Sequence, residues 1–176
     1  ISMRMWSEER NSGTLELLLT LPISKTEIIL GKFFAAWLFA GLALILTFPL
    51  WISVNYLGDP DNGVIFASYI GSWLMAGGFL SIGSCMSALT RSQVVAFVLC
   101  GFITLLFVMA GFPLVLDVFR GWVPLLILDA ITSLSFLTHY NSITKGVLSL
   151  NDFLYFISIM VAWLFATAIA IESKKS

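Results

Sequence analysis

The stretch FFAAWLFAGLALILTFPLWISVNYLG, residues 33–58, decides the fold of this chain. It contains no charged side chain, and as a helix it would be about 39 Å long at a rise of about 1.5 Å per residue. A helix that crosses a bilayer needs about 20 mostly apolar residues, so this stretch can span. Three further uncharged runs are also long enough, and they lie at residues 64–90, 92–116 and 153–171.

The composition of the whole chain points the same way. Of its 176 residues 59% are hydrophobic and 11% are charged, and the mean hydropathy is +0.99. Soluble domains carry about 25% charged residues. The runs are continuously apolar, whereas the strands of outer-membrane barrels alternate apolar and polar residues, so we predict an all-α integral membrane protein. We expect four complete transmembrane helices, at residues 25–57, 64–90, 92–116 and 152–171.

The basic residues predict the orientation in the membrane. Of the nine Lys and Arg residues, only Arg120 and Lys145 fall on the outer side of the expected spans. The other seven are Arg4, Arg10, Lys25, Lys32, Arg91, Lys174 and Lys175. The positive-inside rule therefore places both ends in the cytoplasm. We interpret residues 1–6 as the end of a preceding helix and residues 172–176 as a cytoplasmic tail, and the absence of an initiator Met at Ile1 leads us to expect further spans upstream.

The long outer connection, residues 117–151, is predicted to be a re-entrant or interfacial segment. Its apolar part, residues 123–137, is interrupted by Asp129. This part is shorter than the roughly 20 residues that a membrane span requires. If it crossed the membrane, Lys174 and Lys175 would lie outside, against the charge bias.

Groups that could carry chemistry are scarce. The four uncharged runs hold no Lys, Arg, Asp, Glu or His, and ion-coupled carriers generally need such a group inside the membrane. Energy for transport would therefore come from elsewhere. His139, the only histidine, suits a satisfied or solvated interfacial residue better than a catalytic base or a metal ligand. The chain also lacks the Cys/His spacing of a zinc site and the glycine loop of a nucleotide site, so we expect neither an enzyme nor a bound metal or cofactor.

Two other features bear on packing and on partners. The residues Gly77, Ser81, Ser84 and Ala88 recur at three- and four-residue spacing, which predicts a smooth helix-packing face, with substrate lining as the alternative. Cys85 and Cys100 lie within expected spans and suit small hydrophobes rather than a disulfide. The net charge of −1 gives no indication of a nucleic-acid partner.

The segment SEERNSGTLELLLTLPI, residues 7–23, is expected in the cytoplasm. It is too polar and too short to cross a bilayer, and it is too apolar for a plain solvated loop. Ser12 or Thr14 can cap a short leucine-rich helix there, and Pro22 ends it. One face carries Leu15, Leu18 and Leu19, and another carries Leu17 and Leu21. A helix of about nine residues needs packing to be stable, so one face can rest on the protein or the membrane while the other docks a partner. The alternative is a plain amphipathic helix at the membrane interface.

The residues SKTE, 24–27, form a capping-box pattern. The Ser24 hydroxyl can accept a hydrogen bond from the amide of Glu27, whose side chain can reach back to the amide of Ser24. The first complete span is therefore predicted to begin directly after Pro22, and Pro49 should kink it near its outer end.

With these residues in view, the chain resembles the ABC-2-type transporter permeases of bacteria. The stretch SEERNSGTLELLLTLPISKTEIILGKFFAAW is similar to their pattern E-E/R-x-x-G-T-x-E-x-L-L-x-x-P-[IV]-[ST]-x-x-E-[IV]-x-x-G-K, which follows the second membrane helix. The later stretch THYNSITKGVLSLNDFLYF is similar to the segment before the last helix in the gliding-motility-type branch. The likeness runs across the whole chain.

The resemblance implies a fold and a mode of action. It implies six membrane helices, of which this chain carries the last four, and a coupling helix that sits in a groove of a separate cytoplasmic ABC ATPase. The coupling role falls on Glu8, Glu9, Arg10, Gly13, Thr14, Glu16, Leu17, Leu18 and Pro22. It further implies a permease dimer, either homo- or heterodimeric, in the bacterial inner membrane, with ATP and Mg²⁺ bound by the ATPase and a possible outer-side accessory protein.

The function expected from the resemblance is ATP-driven transport, with export favoured over import. The alternative is a complex of the same architecture that uses ATP for mechanical or signalling work across the membrane without moving a substrate. Nothing in the apolar spans indicates a particular cargo.

Overall fold

The structure is a computed structural model, and it describes residues 6–14, 24–119, 125–146 and 149–173. Within these ranges the chain is helical and contains no strand. The helices are α1 (Ser7–Asn11), α2 (Lys25–Leu46), α3 (Phe48–Leu57), α4 (Asn62–Leu89), α5 (Gln93–Met109), α6 (Pro113–Phe119), α7 (Leu125–Ser133), α8 (Phe136–Thr144) and α9 (Leu150–Ser173). The described part includes three stretches long and apolar enough to cross a membrane, Thr26–Leu57, Asn62–Leu89 and Leu150–Ser173. The expected all-α membrane fold is thereby confirmed.

The first of these stretches is divided at Thr47. The backbone amide of Thr47 donates to the carbonyl of Leu44 over 3.0 Å, and its hydroxyl donates to the same carbonyl over 2.6 Å. Pro49, the second residue of α3, has no amide hydrogen to continue the ladder of hydrogen bonds. The proline kink expected near the outer end of this span therefore takes the form of a break between α2 and α3.

The run at residues 92–116 is not one continuous helix. Helix α5 covers 17 residues, or about 25 Å, which is slightly less than the roughly 30 Å of a bilayer core. The chain turns after it at Gly111, where a Cβ atom would lie 2.8 Å from the hydroxyl oxygen of Thr138, and Pro113 begins α6. The expectation of an unbroken span to residue 116 is corrected accordingly, because the close approach of α8 and the proline both favour a corner at this point.

Helix α4 lies at the centre of the fold. It packs against α2, α5, α8 and α9. Two consecutive glycines make the closest approaches, since a Cβ on Gly77 would lie 2.6 Å from the Met160 methyl carbon and one on Gly78 would lie 2.8 Å from the Phe136 ring. Phe136 is fully buried and packs within a cluster of rings that comprises Phe79, Phe107, Tyr155 and Phe156.

A reciprocal tryptophan pair joins α2 to α4. The Nε1 atom of Trp37 donates to the carbonyl of Trp73 over 2.9 Å, and the Nε1 atom of Trp73 donates to the carbonyl of Trp37 over 3.1 Å. The two rings are stacked with their centroids 4.4 Å apart. Each of these part-buried indoles thus satisfies its N–H group on the partner helix.

The connection that was expected on the outer side consists of short helices in its described part. Helices α7 and α8 have 9 residues each, too few to cross a bilayer, as a re-entrant or interfacial segment requires. Helix α8 buries Phe136 and Ile143 against the core. Large apolar side chains on the outer faces of α2, α5 and α9 are exposed, for example Leu46 at 73% and Phe165 at 67%, as lipid contact requires.

The glycine contacts of α4 yield a stability prediction. Replacing Gly78 with Val forces the Phe136 ring out of its packed position, and overpacking of this kind costs about 1–3 kcal/mol. The matched control is Gly101→Val on α5, because a Cβ atom on Gly101 would meet nothing within 4 Å. We expect the midpoint of thermal unfolding in detergent, followed by tryptophan fluorescence, to fall for Gly78→Val and to stay unchanged for Gly101→Val. Equal midpoints for the two variants would contradict the packing described here.

Candidate functional site

The structure describes part of the segment expected to dock a partner. Glu8, Glu9 and Arg10 belong to α1, and Gly13 and Thr14 follow it. The remaining residues assigned to the segment, Glu16, Leu17, Leu18 and Pro22, lie outside the described residues. The geometry of the site is therefore that of its N-terminal half and of its connection to the membrane helices.

Helix α1 ends in a glycine turn. The amide of Ser12 donates to the carbonyl of Glu8 over 3.0 Å, and the Ser12 hydroxyl donates to the same carbonyl over 2.9 Å. Gly13 follows with φ of 72°, a left-handed conformation that other L-residues adopt at a cost of roughly 1–2 kcal/mol. Thr14 is again helical. Ser12 therefore closes α1, and the glycine allows the chain to change direction before the leucine-rich part.

The start of α1 is anchored on α4 by three buried hydrogen bonds. The amides of Trp6 and Ser7 both donate to the hydroxyl oxygen of Ser87, over 3.1 and 3.0 Å. The indole Nε1 of Trp6 donates to the hydroxyl oxygen of Ser84 over 3.0 Å. Amides at the start of a helix lack partners within it, so the two serines satisfy donors that would otherwise be costly to bury. We call Trp6, Ser7, Ser84 and Ser87 the serine joint.

A charged contact ties the same helix to α2. The Lys32 ammonium forms an ion pair with the Glu9 carboxylate and lies 4.2 Å from the centroid of the Trp6 ring. The side chains of Lys32 and Glu9 are 22% and 29% exposed, so water weakens the ion pair, whereas the cation–π contact adds about 0.5–1 kcal/mol. The charged pair therefore supports the serine joint from the partly exposed side.

The residues expected to form a packing face on α4 are all buried against the protein's own helices. Gly77 lies against Met160 and Trp37, and the Ser81 hydroxyl donates to the carbonyl of Gly78 over 2.7 Å. Ser84 belongs to the serine joint, and Ala88 packs in a small cluster with Trp6, Ile29 and Ala170. The face thus packs against α2 and α9 through Gly77 and Ala88, while Ser84 and Ala88 also contact Trp6 at the start of α1.

Helix α2 begins with the capping box that its sequence pattern predicts. The amide of Glu27 donates to the Ser24 hydroxyl oxygen over 3.3 Å, and the amide of Ser24 donates to the Glu27 carboxylate over 3.0 Å. Two donors at the helix start are satisfied reciprocally, which fixes the point at which α2 begins.

A second polar cluster, between α8 and the start of α9, was not predicted. The Nδ1 atom of His139 lies 2.6 Å from a carboxylate oxygen of Asp152, and its Nε2 atom lies 2.9 Å from the carbonyl of Ser133. A carbonyl only accepts, so Nε2 donates to Ser133, and the Nδ1 contact joins the imidazole ring to the Asp152 carboxyl group. Asp152 is only 5% exposed and also accepts from the Ser149 hydroxyl over 2.7 Å. The sequence predicts that His139 is a satisfied or solvated interfacial residue, but it does not predict the partner, because a pairing across 13 positions leaves no periodic signal.

The described part of the chain is helical, has three membrane-length stretches and carries a short polar helix anchored on one of them, and this arrangement defines a membrane subunit. The family model described as "ABC-2 family transporter protein" matches residues 1–173. The chain belongs to this family and is a permease subunit of an ABC transporter, a multi-pass membrane protein. A search of the curated proteins found no match.

The serine joint yields a prediction on the stability of the cytoplasmic segment. Trp6→Ala removes a buried indole, a change that costs about 3–5 kcal/mol in a packed core, and should release α1 from α4. Trypsin cleaves after Arg10 only when the helix opens, so cleavage there should become several-fold faster, as followed by mass spectrometry of the fragments. The control is Trp51→Ala, which removes an indole that is hydrogen-bonded to Asn62 and takes no part in the serine joint. This variant should leave the rate of cleavage after Arg10 unchanged. An unchanged rate for Trp6→Ala would mean that the joint does not hold the segment.

Proposed function

We propose that this permease couples ATP hydrolysis by a separate cytoplasmic ABC ATPase to export across the bacterial inner membrane. The observation that carries the proposal is the serine joint, because it holds a short polar helix on the inner ends of the membrane helices in a chain of this family. When a partner displaces a segment that is fixed in this way, the membrane helices to which it is attached are displaced as well. The proposal includes a dimer of permeases on a dimer of ATPases, as the family resemblance implies.

The docking surface proposed for the ATPase is the segment from Glu8 to Pro22. Its described part supports this assignment, because Glu8, Ser12, Gly13 and Thr14 are exposed while the opposite side of the segment is buried through Trp6 and Ser7. Glu8, Glu9 and Arg10 would supply the polar rim, and Leu17 and Leu18 the apolar anchors of the interface. ATP and Mg²⁺ would be held by the ATPase, and this chain would contribute no catalytic residue.

The proposed movement starts when the ATPase dimer closes on ATP. The docked segment would shift as a rigid body, and the capping box at Ser24 and Glu27 would pass that shift directly into α2. Transport would follow from the change in how the membrane helices of the two permeases pack. An outer-side accessory protein is a further partner proposed for the complex.

The docking assignment predicts the effect of charges at the anchor leucines. Replacing Leu17 and Leu18 with Asp should abolish co-purification of the ATPase encoded with this chain, since burying an unpaired carboxylate in an apolar interface costs several kcal/mol. The control is Leu57→Asp, at a leucine that is 84% exposed at the far end of α3 and that should not affect the partner. Both variants should be inserted and monodisperse. ATPase binding retained by the Leu17→Asp/Leu18→Asp variant would rule out this docking surface.

Transport itself is tested by flux. Proteoliposomes with the ATPases facing outward should accumulate compounds from a cell extract in their lumen when ATP is added, as measured by mass spectrometry of the contents. The Leu17→Asp/Leu18→Asp variant is the matched negative control. ATP-dependent loss from the lumen would reverse the proposed direction. Hydrolysis by the wild-type complex without any flux would instead favour mechanical or signalling work across the membrane.

A further inference from the structure

The serine joint contacts α4, whereas the chain leads from the cytoplasmic segment into α2. In the proposed function the capping box passes the shift into the start of α2, and the question is which helix carries it from there to the outer side. The inference drawn from it rests on the proposed function, because it presumes that an ATPase moves the segment.

The stronger attachment of α1 is the one to α4. Ser7, Ser84 and Ser87 are 0% exposed and Trp6 is 4% exposed, so their hydrogen bonds have no competing water. Breaking such a bond leaves a buried donor unsatisfied, which is costly. The Lys32–Glu9 pair that connects α1 to α2 is partly exposed and correspondingly weaker. A displacement of α1 is therefore expected to move the inner end of α4 with it.

Helix α4 is also more continuous than the path through α2 and α3. It runs for 28 residues without a proline, or about 42 Å, and is one continuous helix from Asn62 to Leu89. The path through α2 is interrupted at Thr47, where α3 begins with Pro49 at its second position. A break of this kind can absorb a change of angle, so α2 and α3 need not move as one body.

The outer half of α4 contacts the outer segment directly. The Ser72 hydroxyl lies 3.2 Å from the Tyr140 hydroxyl of α8, and a Cβ on Gly71 would lie 2.9 Å from a methyl carbon of Ile143. On its other side α8 is tied to the start of α9, because His139 pairs with Asp152. Helix α8 is thus held between α4 and α9, and a shift of α4 must either carry it along or break these contacts.

We propose that Ser84 and Ser87 are positioning residues that transmit the movement of the cytoplasmic segment into α4, and that α4 passes it to α8 in the outer segment. The juxtaposition that supports this is a single unbroken helix with buried hydrogen bonds to α1 near its inner end and glycine contacts to α8 in its outer half. Spatial continuity becomes coupling only when both ends are shown to respond together, so the test measures the far end.

The experiment places spin labels at Asn141 on α8 and at Tyr56 on α3, both exposed, after Cys85 and Cys100 have been replaced. The full-length chain in complex with its ATPase is reconstituted in nanodiscs, and the distance between the labels is measured by pulsed electron paramagnetic resonance before and after trapping with ATP and vanadate. In the complex with an intact serine joint we expect the distance to change on trapping. In Ser84→Ala/Ser87→Ala we expect ATPase binding and hydrolysis to remain while most of the distance change is lost.

The control is Ser81→Ala on the same helix. Ser81 is also 0% exposed, but its hydroxyl bonds to the backbone of its own helix, so this variant should respond like the intact joint. Ser87→Thr keeps a hydroxyl acceptor and should restore the response that Ser87→Ala loses. Trp6→Phe removes only the donor to Ser84 and should cause a partial loss, which keeps the proposal testable if the double serine variant does not fold.

Three results would overturn the proposal, and they can be told apart. A full distance change in Ser84→Ala/Ser87→Ala would assign the route to α2, whose Trp37 pairs with Trp73 on α4. The absence of any change in the intact complex, with the ATPase bound and hydrolysing, would mean that movement does not reach α8. Failure of the ATPase to bind the intact chain would refute the proposed function on which the inference rests.

Discussion

Close packing along α4 is the constraint on which the rest of the structure depends. In a bilayer, helices gain little hydrophobic energy by leaving lipid, so their association relies on van der Waals contact and interhelical hydrogen bonds. Gly77 and Gly78 bring Met160 and Phe136 to within contact of the α4 backbone, and larger residues there would hold α8 and α9 away. The reciprocal bonds between Trp37 and Trp73 then fix α2 on another side of the same helix. Ser84 of the same small-residue pattern and the nearby Ser87 serve a second purpose, because they accept hydrogen bonds from the residues that begin α1.

The sequence predicts the local features well and the non-local ones poorly. The helical class, the capping box at Ser24 and the proline break near Pro49 follow from composition and short patterns, and each has its counterpart in the structure. The division of residues 92–116 was missed, since an uncharged run gives no sign of the contact between Gly111 and Thr138 beyond the end of α5. For the site, the small-residue pattern predicts a packing face that includes Ser84, but nothing in that pattern indicates the role of Ser87.

Long sequence separation explains these omissions in physical terms. Trp6 and Ser87 are 81 positions apart, so only the folded helices bring them together, and neither residue belongs to a pattern that would reveal the other. The same holds for His139 and Asp152, which lie on different helices. The leucine-rich half of the docking segment lies outside the described residues, so its assignment rests on pattern and family alone.

Polar contacts in the described part of the chain are graded by their exposure to water. The charged side chains of Lys32 and Glu9 form their pair where water can reach them. The neighbouring contacts of α1 with Ser84 and Ser87 are fully buried, and there the acceptors are neutral hydroxyl groups. Within that part Asp152 is the buried carboxylate, and it has both a histidine and a serine as partners. A lone buried charge costs far more than a neutral hydroxyl, so an uncharged joint is the less costly way to tie α1 firmly to α4. Such a joint also keeps its strength at high salt, because screening weakens exposed ion pairs much more than buried neutral hydrogen bonds.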